Sequence, residues 1–492
     1  MSSLPLHPKS ANEEATYPKT PSDFDLPNPL PRLSPSFPIH WRGSIHYEEA
    51  RVGRVFNRRR PNRYPIAVVE AKREKHIVEA VRLANELKCR VSVRSGGHSW
   101  AAWSVRDKAI LIDLGKYYEV TFDAKTNIVK ASPSTTGRLL NTLLAQHGRL
   151  FPGGHCPDVG IGGFLLQGGM GWNCKNWGWA CERVLGLDVV TADGRQLHCD
   201  EHENRDLYFA ARGAGPGFPA VVTRFYLQTL PAYSCMRSAA YFYKKEDYRK
   251  ALSWITSITG EYESDTEIVA VSSYPPGADD IRIMVLLVTF KNTEDEARKA
   301  LKIADDSHPP GKVDGWFMKP TSLMAEYDDQ AFANPDGHRY CADNAYVSND
   351  ANVVDVLEEA FTTLPSKKSF SLWYSMNPCS RRKLPEMALS MQSDHYFASY
   401  TIWEDEKDDE ICTSWVKNIM SHMERHSDGA YLGDSDFQVR RTRFWGQGEG
   451  KNLMRIRKEW DPEGRICGYL DLGDKSGAEG LQNEHEFVQA RI

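Results

Sequence analysis

The 492-residue chain has no apolar run near the ~20 residues needed to cross a bilayer. Its longest, Ile283 to Phe290, holds one threonine and suits a buried strand. It has no basic surplus either: 61 Lys+Arg against 66 Asp+Glu leave a net charge of -5, which argues against a nucleic-acid polyanion as partner. Membrane and nucleic acid are excluded as partners on these grounds. None of the ten cysteines is spaced Cys-x-x-Cys, which excludes a zinc ribbon or a thioredoxin-type redox pair. The N-terminus lacks a charged start followed by an apolar core, and the expectation is a cytoplasmic protein with mostly reduced thiols. The final Ala490-Arg491-Ile492 is a loose variant of the small-basic-aliphatic peroxisomal tripeptide, which leaves the peroxisome open.

Hydrophobic residues make up 41% and charged residues 26%, the balance of a globular protein with ample length for several cores. Residues 1–40 hold nine of the 27 prolines and read as an extended N-terminal arm. Residues 41–230 alternate short strands and helices. His76 to Leu87 has helical spacing, as does Thr135 to His147, while hairpins are predicted across 123–127 and through Asp193-Gly194. Residues 231–428 lose that glycine density and mix amphipathic helices (245–258, 293–304, 353–363) with strands (267–273, 281–290, 369–376, 396–403), a second domain. Residues 429–475 are Gly- and aromatic-rich again and end in a helix over 452–460; 476–492 is a tail. The class is α+β.

Two glycine clusters carry the chemistry. The first is Arg94-Ser95-Gly96-Gly97-His98-Ser99-Trp100, directly after a strand. Paired glycines permit positive φ and bring backbone N–H groups to a ligand, the construction of an anion nest. No Gly-Lys-Ser/Thr follows, so it is no Walker A loop. The second comprises Gly153, Gly154, His155, Cys156, Val159, Gly160, Gly162, Gly163, Gly168, Gly169 and Gly171. Such density is entropically costly unless a ligand backs onto the main chain. His98 and Cys156 lack a third clear ligand, and no metal site is read.

These clusters, with Val184 to Gly194 and Gly213-x-Gly215 followed by Val221-Val222-Thr223, resemble the PCMH-type FAD-binding domain of the vanillyl-alcohol-oxidase superfamily. Within it the chain is similar to the berberine-bridge-enzyme-like FAD-linked oxidases. The likeness runs through residues 60–230, with a weaker echo over 431–470. It implies two α+β subdomains holding FAD and a substrate domain whose antiparallel sheet, backed by helices, roofs the flavin. It further implies covalent attachment of FAD to His98 (flavin 8α) and to Cys156 (flavin C6), where a thiolate is the better nucleophile. Two tethers would raise the flavin potential. The cofactor-binding set it implies is Arg94, Ser95, Gly96, Gly97, His98, Ser99, Gly153, Gly154, Cys156, Val159, Gly160, Gly162, Gly163, Gly168, Gly169, Gly171, Val222 and Tyr431, with Ser132 and Ser134 near pyrophosphate and ribose.

The chain departs from the family's Tyr-x-Asn-Tyr-x-Asp loop. Here it reads Tyr431-Leu432-Gly433-Asp434-Ser435-Asp436, so Asp434 stands where some members place a tyrosine base. Catalytic candidates are therefore Asp434 and Tyr374, with Asp394-His395 third. The implied reaction is hydride transfer from a C–H bond of a small molecule (alcohol, amine, sugar or aromatic secondary metabolite) to flavin, with dioxygen as acceptor giving hydrogen peroxide. Two alternatives stand: a dehydrogenase using another acceptor, and a non-catalytic flavin-binding protein of the same fold.

Overall fold

The computed structural model describes residues 29–262, 265–436, 439–440 and 442–469. The predicted tripeptide at 490–492 and most of the proline-rich arm lie outside them. Among the described residues no helix is long and apolar enough to cross a membrane.

Three of the four sheets among the described residues organise the fold. In the first, Ile39–Trp41, Ala67–Glu70, Ala109–Asp113 and Arg90–Arg94 lie side by side in that order, the last three parallel. Helix Glu74–Glu86 lays Ile77, Val81 and Ala84 on this sheet, the stripe its 3.6-residue period predicts. The second sheet is antiparallel, in the order Val120–Asp123, Ile128–Ala131, Ala220–Gln228, Val184–Thr191, Gln196–Asp200. Both predicted hairpins are in it.

The third sheet has eight antiparallel strands: Asp314–Thr321, Cys235–Lys244, Arg282–Lys291, Thr266–Ser273, Phe370–Ser375, His395–Trp403, Arg339–Val347 and Ser427–Gly429. Period-two alternation gives it two functional faces. In Thr266–Ser273, Ile268 and Ala270 join a core with helices Tyr248–Ile258, Val353–Thr362 and Asp409–Met423, while Glu267 and Val269 face the glycine loops.

After Gly429 the chain returns to the first part. Ala430, Leu432, Phe444, Trp445, Leu453 and Ile456 pack in one core with Val129, Leu187 and Phe225. Asn344 grips the backbone of Tyr431 on both sides, donating to its carbonyl and accepting from its N–H at 2.7 Å each. Ile466 then bridges to Val91 beside the first glycine loop. The loop 431–436 is thus pinned between the large sheet and the glycine clusters.

Candidate active site

The two glycine clusters, far apart in sequence, meet face to face. A Cβ on Gly96 would stand 2.5 Å from the Gly160 amide nitrogen, and one on Gly160 would stand 2.8 Å from the Gly96 amide nitrogen. Gly97 adopts φ +84°, with a virtual Cβ 1.8 Å from the Arg54 carbonyl oxygen. Only glycines allow this approach. Between the clusters and the large sheet opens a cavity of ≈ 320 Å³. Arg94, Ser95, Gly96, Gly97, His98, Ser99, Gly154, Cys156, Val159, Gly160, Gly162, Gly163, Val222, Tyr431, Tyr374 and Asp434 all line it.

Four expected residues do not. Gly153, Gly168, Gly169 and Gly171 pack the loop against the protein: a Cβ on each would press on Tyr327, Leu389, Ala180 and the Pro152 carbonyl respectively. In this structure these four glycines serve close packing. Arg94 lines the cavity but keeps its guanidinium turned to protein partners. Its guanidinium is buried, donating to Asp113 Oδ2 (2.5 Å) and to the Arg51 (2.6 Å) and Ala50 carbonyls, so it braces the loop from behind. The Ser132 hydroxyl is turned inward to the Glu119 N–H and Thr135, and Ser134 donates to the Ser95 carbonyl. Asp394 is bound to Arg381 and Ser380, and His395 accepts from Trp373; neither lines the cavity.

What remains fits an anionic dinucleotide. Among the described residues the backbone N–H groups of Gly96, Gly97, His98 and Ser99 find no acceptor, the state of a nest awaiting an anion. Gly163 also lines the cavity, and a Cβ there would meet nothing within 4 Å, so the missing side chain leaves open room.

His98 stacks on Phe56 (centroids 4.3 Å apart, 17° between planes) and burial pushes its pKa down to about 4. The ring is therefore neutral with a free lone pair. Of ten cysteines, all free, Cys156 alone is not fully buried. Burial, then Asp434 and Asp158, push its thiol up to about 12, and no cation offsets them. The thiol must therefore lose its proton before it can attack, since carboxylates stand beside it where a lowered pKa needs positive charge.

Two hydrogen-bonded clusters reach the far side of the cavity. In one, Tyr396 donates to Asp434 Oδ2 at 2.6 Å and Tyr400 bonds the same carboxyl. Burial raises the Asp434 pKa and these bonds only partly offset it. In the other, Glu267 Oε2 takes two donors, Tyr374 OH at 2.9 Å and the Asn173 N–H at 2.5 Å, while Oε1 lies 3.0 Å from His155 Nε2. Tyr431 lies between the loops and accepts from the Gly169 and Met170 N–H groups, 3.1 Å each. The sequence reading missed His155, Glu267, Trp172, Tyr396 and Tyr400. One signal was available for Glu267: a carboxylate on the cavity-facing side of an otherwise apolar strand.

Residues 65–200 match the FAD binding domain family. The chain is 40% identical over 432 residues to the FAD-linked oxidoreductase ptmO of Penicillium ochrochloron, covering 88% of this chain and 96% of that one. Among solved structures it resembles BBE-like 1 of Physcomitrella patens, with a TM-score of 0.77 and 18% identity over 89% of this chain and 97% of the other. It also resembles an Acremonium strictum glucooligosaccharide oxidase whose structure reveals a novel flavinylation (TM-score 0.74, 19% identity, 86% of this chain and 94% of that one).

Proposed function

The chain belongs to the berberine-bridge-enzyme-like FAD-linked oxidoreductases, with a PCMH-type FAD-binding domain, and from that premise we propose an oxidase that removes a hydride and a proton from a small, largely apolar molecule and passes both electrons to dioxygen. The observation that supports this reading is the single cavity into which the N–H nest, His98, Cys156 and the two carboxylate clusters all open.

The bound flavin supplies a two-electron acceptor for the hydride. The protein's part is to hold and shape. The Gly96–Ser99 nest would receive the pyrophosphate. His98 and Cys156 would each bond the flavin, His98 through its neutral ring and Cys156 after losing its proton. The covalent flavin of the Acremonium relative supports this pairing only by analogy. Val269, Leu286, Phe370 and Leu372 offer the substrate an apolar roof. Against that roof a flat or aromatic molecule would pack, while Glu267, Gln330, Asn334, Tyr374, Tyr400 and Asp434 line the same cavity and would orient its polar end. Asp434 with Tyr396 and Tyr400, and Tyr374 with Glu267, would clamp the reacting hydroxyl or amine and exclude water from it.

Mixing the purified protein anaerobically with a panel of benzylic and allylic alcohols, amines and oligosaccharides tests the proposal. At least one apolar member should bleach the flavin, and air should restore the colour with one hydrogen peroxide per turnover. Bleaching reversed only by an artificial dye would make the protein a dehydrogenase; no bleaching by any member would contradict catalysis.

A further inference from the structure

We infer that His155 takes the substrate's hydroxyl or amine proton at Nδ1, held in register by Glu267; the inference rests on the oxidase reading above and names the proton acceptor that reading lacks. His155 comes from the second glycine cluster and Glu267 from strand Thr266–Ser273 of the large sheet, so the pair spans the cavity from floor to roof. Both residues line the cavity.

The geometry fixes the tautomer. Glu267 Oε2 already accepts from a backbone N–H, that of Asn173, which can only donate, and from Tyr374 OH. The carboxylate is therefore an acceptor, and its contact with His155 Nε2 assigns the ring hydrogen to that nitrogen. Among the described residues Nδ1 has no partner, and its lone pair is free. Trp172 lies against the ring (4.5 Å between centroids) and Tyr374 meets it edge-on at 5.9 Å, so aromatic rings flank the imidazole on two sides. This is the arrangement by which a carboxylate fixes and charges a histidine base.

Around the ring stand Glu267 and Tyr374 from the sheet, Asp434 from the 431–436 loop, Glu326 from helix Leu323–Ala333, and Cys156 next in sequence. Burial opposes the imidazolium, but Glu267 outweighs it and Asp434 and Glu326 add to it, so His155 sits above its ordinary 6.5. Behind Glu267 lies Lys175, fully buried, its Nζ without a hydrogen-bond partner, held down to about 8 by burial despite Glu267. Tyr374 is unsuited to the role, since its proton is committed to Glu267 and burial pushes its pKa well up.

In the step itself, the substrate X–H bond breaks, its proton goes to Nδ1, and its electron pair stays on X. That pair would push out a hydride from the adjacent carbon, for which the bound flavin would supply the acceptor. Hydride and proton together account for both hydrogens of the peroxide formed from dioxygen.

Two measurements on the flavin-loaded protein test this. Histidine-labelled NMR, with His155→Gln to assign the signal, should show His155 titrating above 6.5 with hydrogen on Nε2, and Glu267→Gln should lower that midpoint about tenfold in dissociation constant. Binding of 4-nitrophenol at pH 6, whose ionised form absorbs visibly, should give the ionised probe paired with the His155 imidazolium in wild type and the protonated probe in His155→Gln and Glu267→Gln. An Nδ1–H tautomer, a midpoint that Glu267→Gln leaves in place, or a probe ionised equally in all three proteins would overturn the inference. A wild-type flavin that no alcohol or amine bleaches sinks the oxidase reading instead; bleaching whose acid limb Glu267→Gln leaves unmoved sinks only this one.

Discussion

Asp113→Ala destabilises the protein by about 3–5 kcal/mol, the largest single loss expected outside the apolar cores. Asp113 is buried and receives Arg94 Nε (3.0 Å) and Nη2 (2.5 Å) on Oδ2, with the Gly115 N–H (2.7 Å) and Arg54 on Oδ1. Alanine strands the Arg94 guanidinium, 2% exposed, without the carboxylate it pairs with. Two carbonyls would still receive it, but no charge would balance it. Because Arg94 opens directly into the first glycine loop, flavin content should fall with stability. Urea unfolding followed by tryptophan fluorescence measures the loss. Asp113→Asn, which keeps an acceptor oxygen, should recover part of it; a loss under about 1 kcal/mol for alanine would mean that Arg94 relaxes outward and the brace is dispensable.

The second large effect comes from a pair of glycines that alanine separates. Gly97→Ala places a Cβ at φ +84° and 1.8 Å from the Arg54 carbonyl, a clash with backbone that cannot yield. Positive φ alone costs roughly 1–2 kcal/mol, and the displaced loop takes His98 and the N–H nest with it. The expected protein is less stable and purifies with under a tenth of the wild-type flavin. Gly163→Ala is the contrast: its Cβ meets nothing within 4 Å, so the fold should be untouched. It projects beside the cavity, however, so flavin retention should drop while the melting temperature of the flavin-free protein stays at the wild-type value. Melting temperature and flavin-to-protein absorbance ratio read both. Equal behaviour of the two variants would contradict the cradle.

Most elements were legible where periodicity is clean. Helix Glu74–Glu86, the hairpin at Asp193-Gly194 and the strand Arg282–Lys291 announce themselves by an apolar stripe, a turn dipeptide and an unbroken apolar run. Strand Arg339–Val347 did not, because Asp343 and Asn344 sit mid-strand. They are buried there because Arg440 pairs with one and the Tyr431 backbone with the other, partners about 90 residues away that local pattern cannot contain. Helix Ile161–Leu166 was hidden inside a glycine cluster that reads as loop.

The site divides the same way. Glycine spacing and the family likeness located the cavity floor, including His98 and Cys156. The proton-handling groups were only half visible. Asp434 and Tyr374 were reached by position in a motif and a strand, but their partners Tyr396 and Glu267 come from other strands, and only the sheet order brings them together. The bracing of Arg94 was not visible in the loop pattern, because its partner Asp113 stands on the neighbouring strand.

The central claim is that both glycine loops hold one flavin, each through its own bond. Flavin fluorescence in a denaturing gel tests it on wild type, His98→Ala, Cys156→Ala and the double variant. Wild type and both single variants should keep a fluorescent band at 55.7 kDa, and the double variant should lose it. A band that survives in the double variant, or one already absent from wild type, would contradict the account.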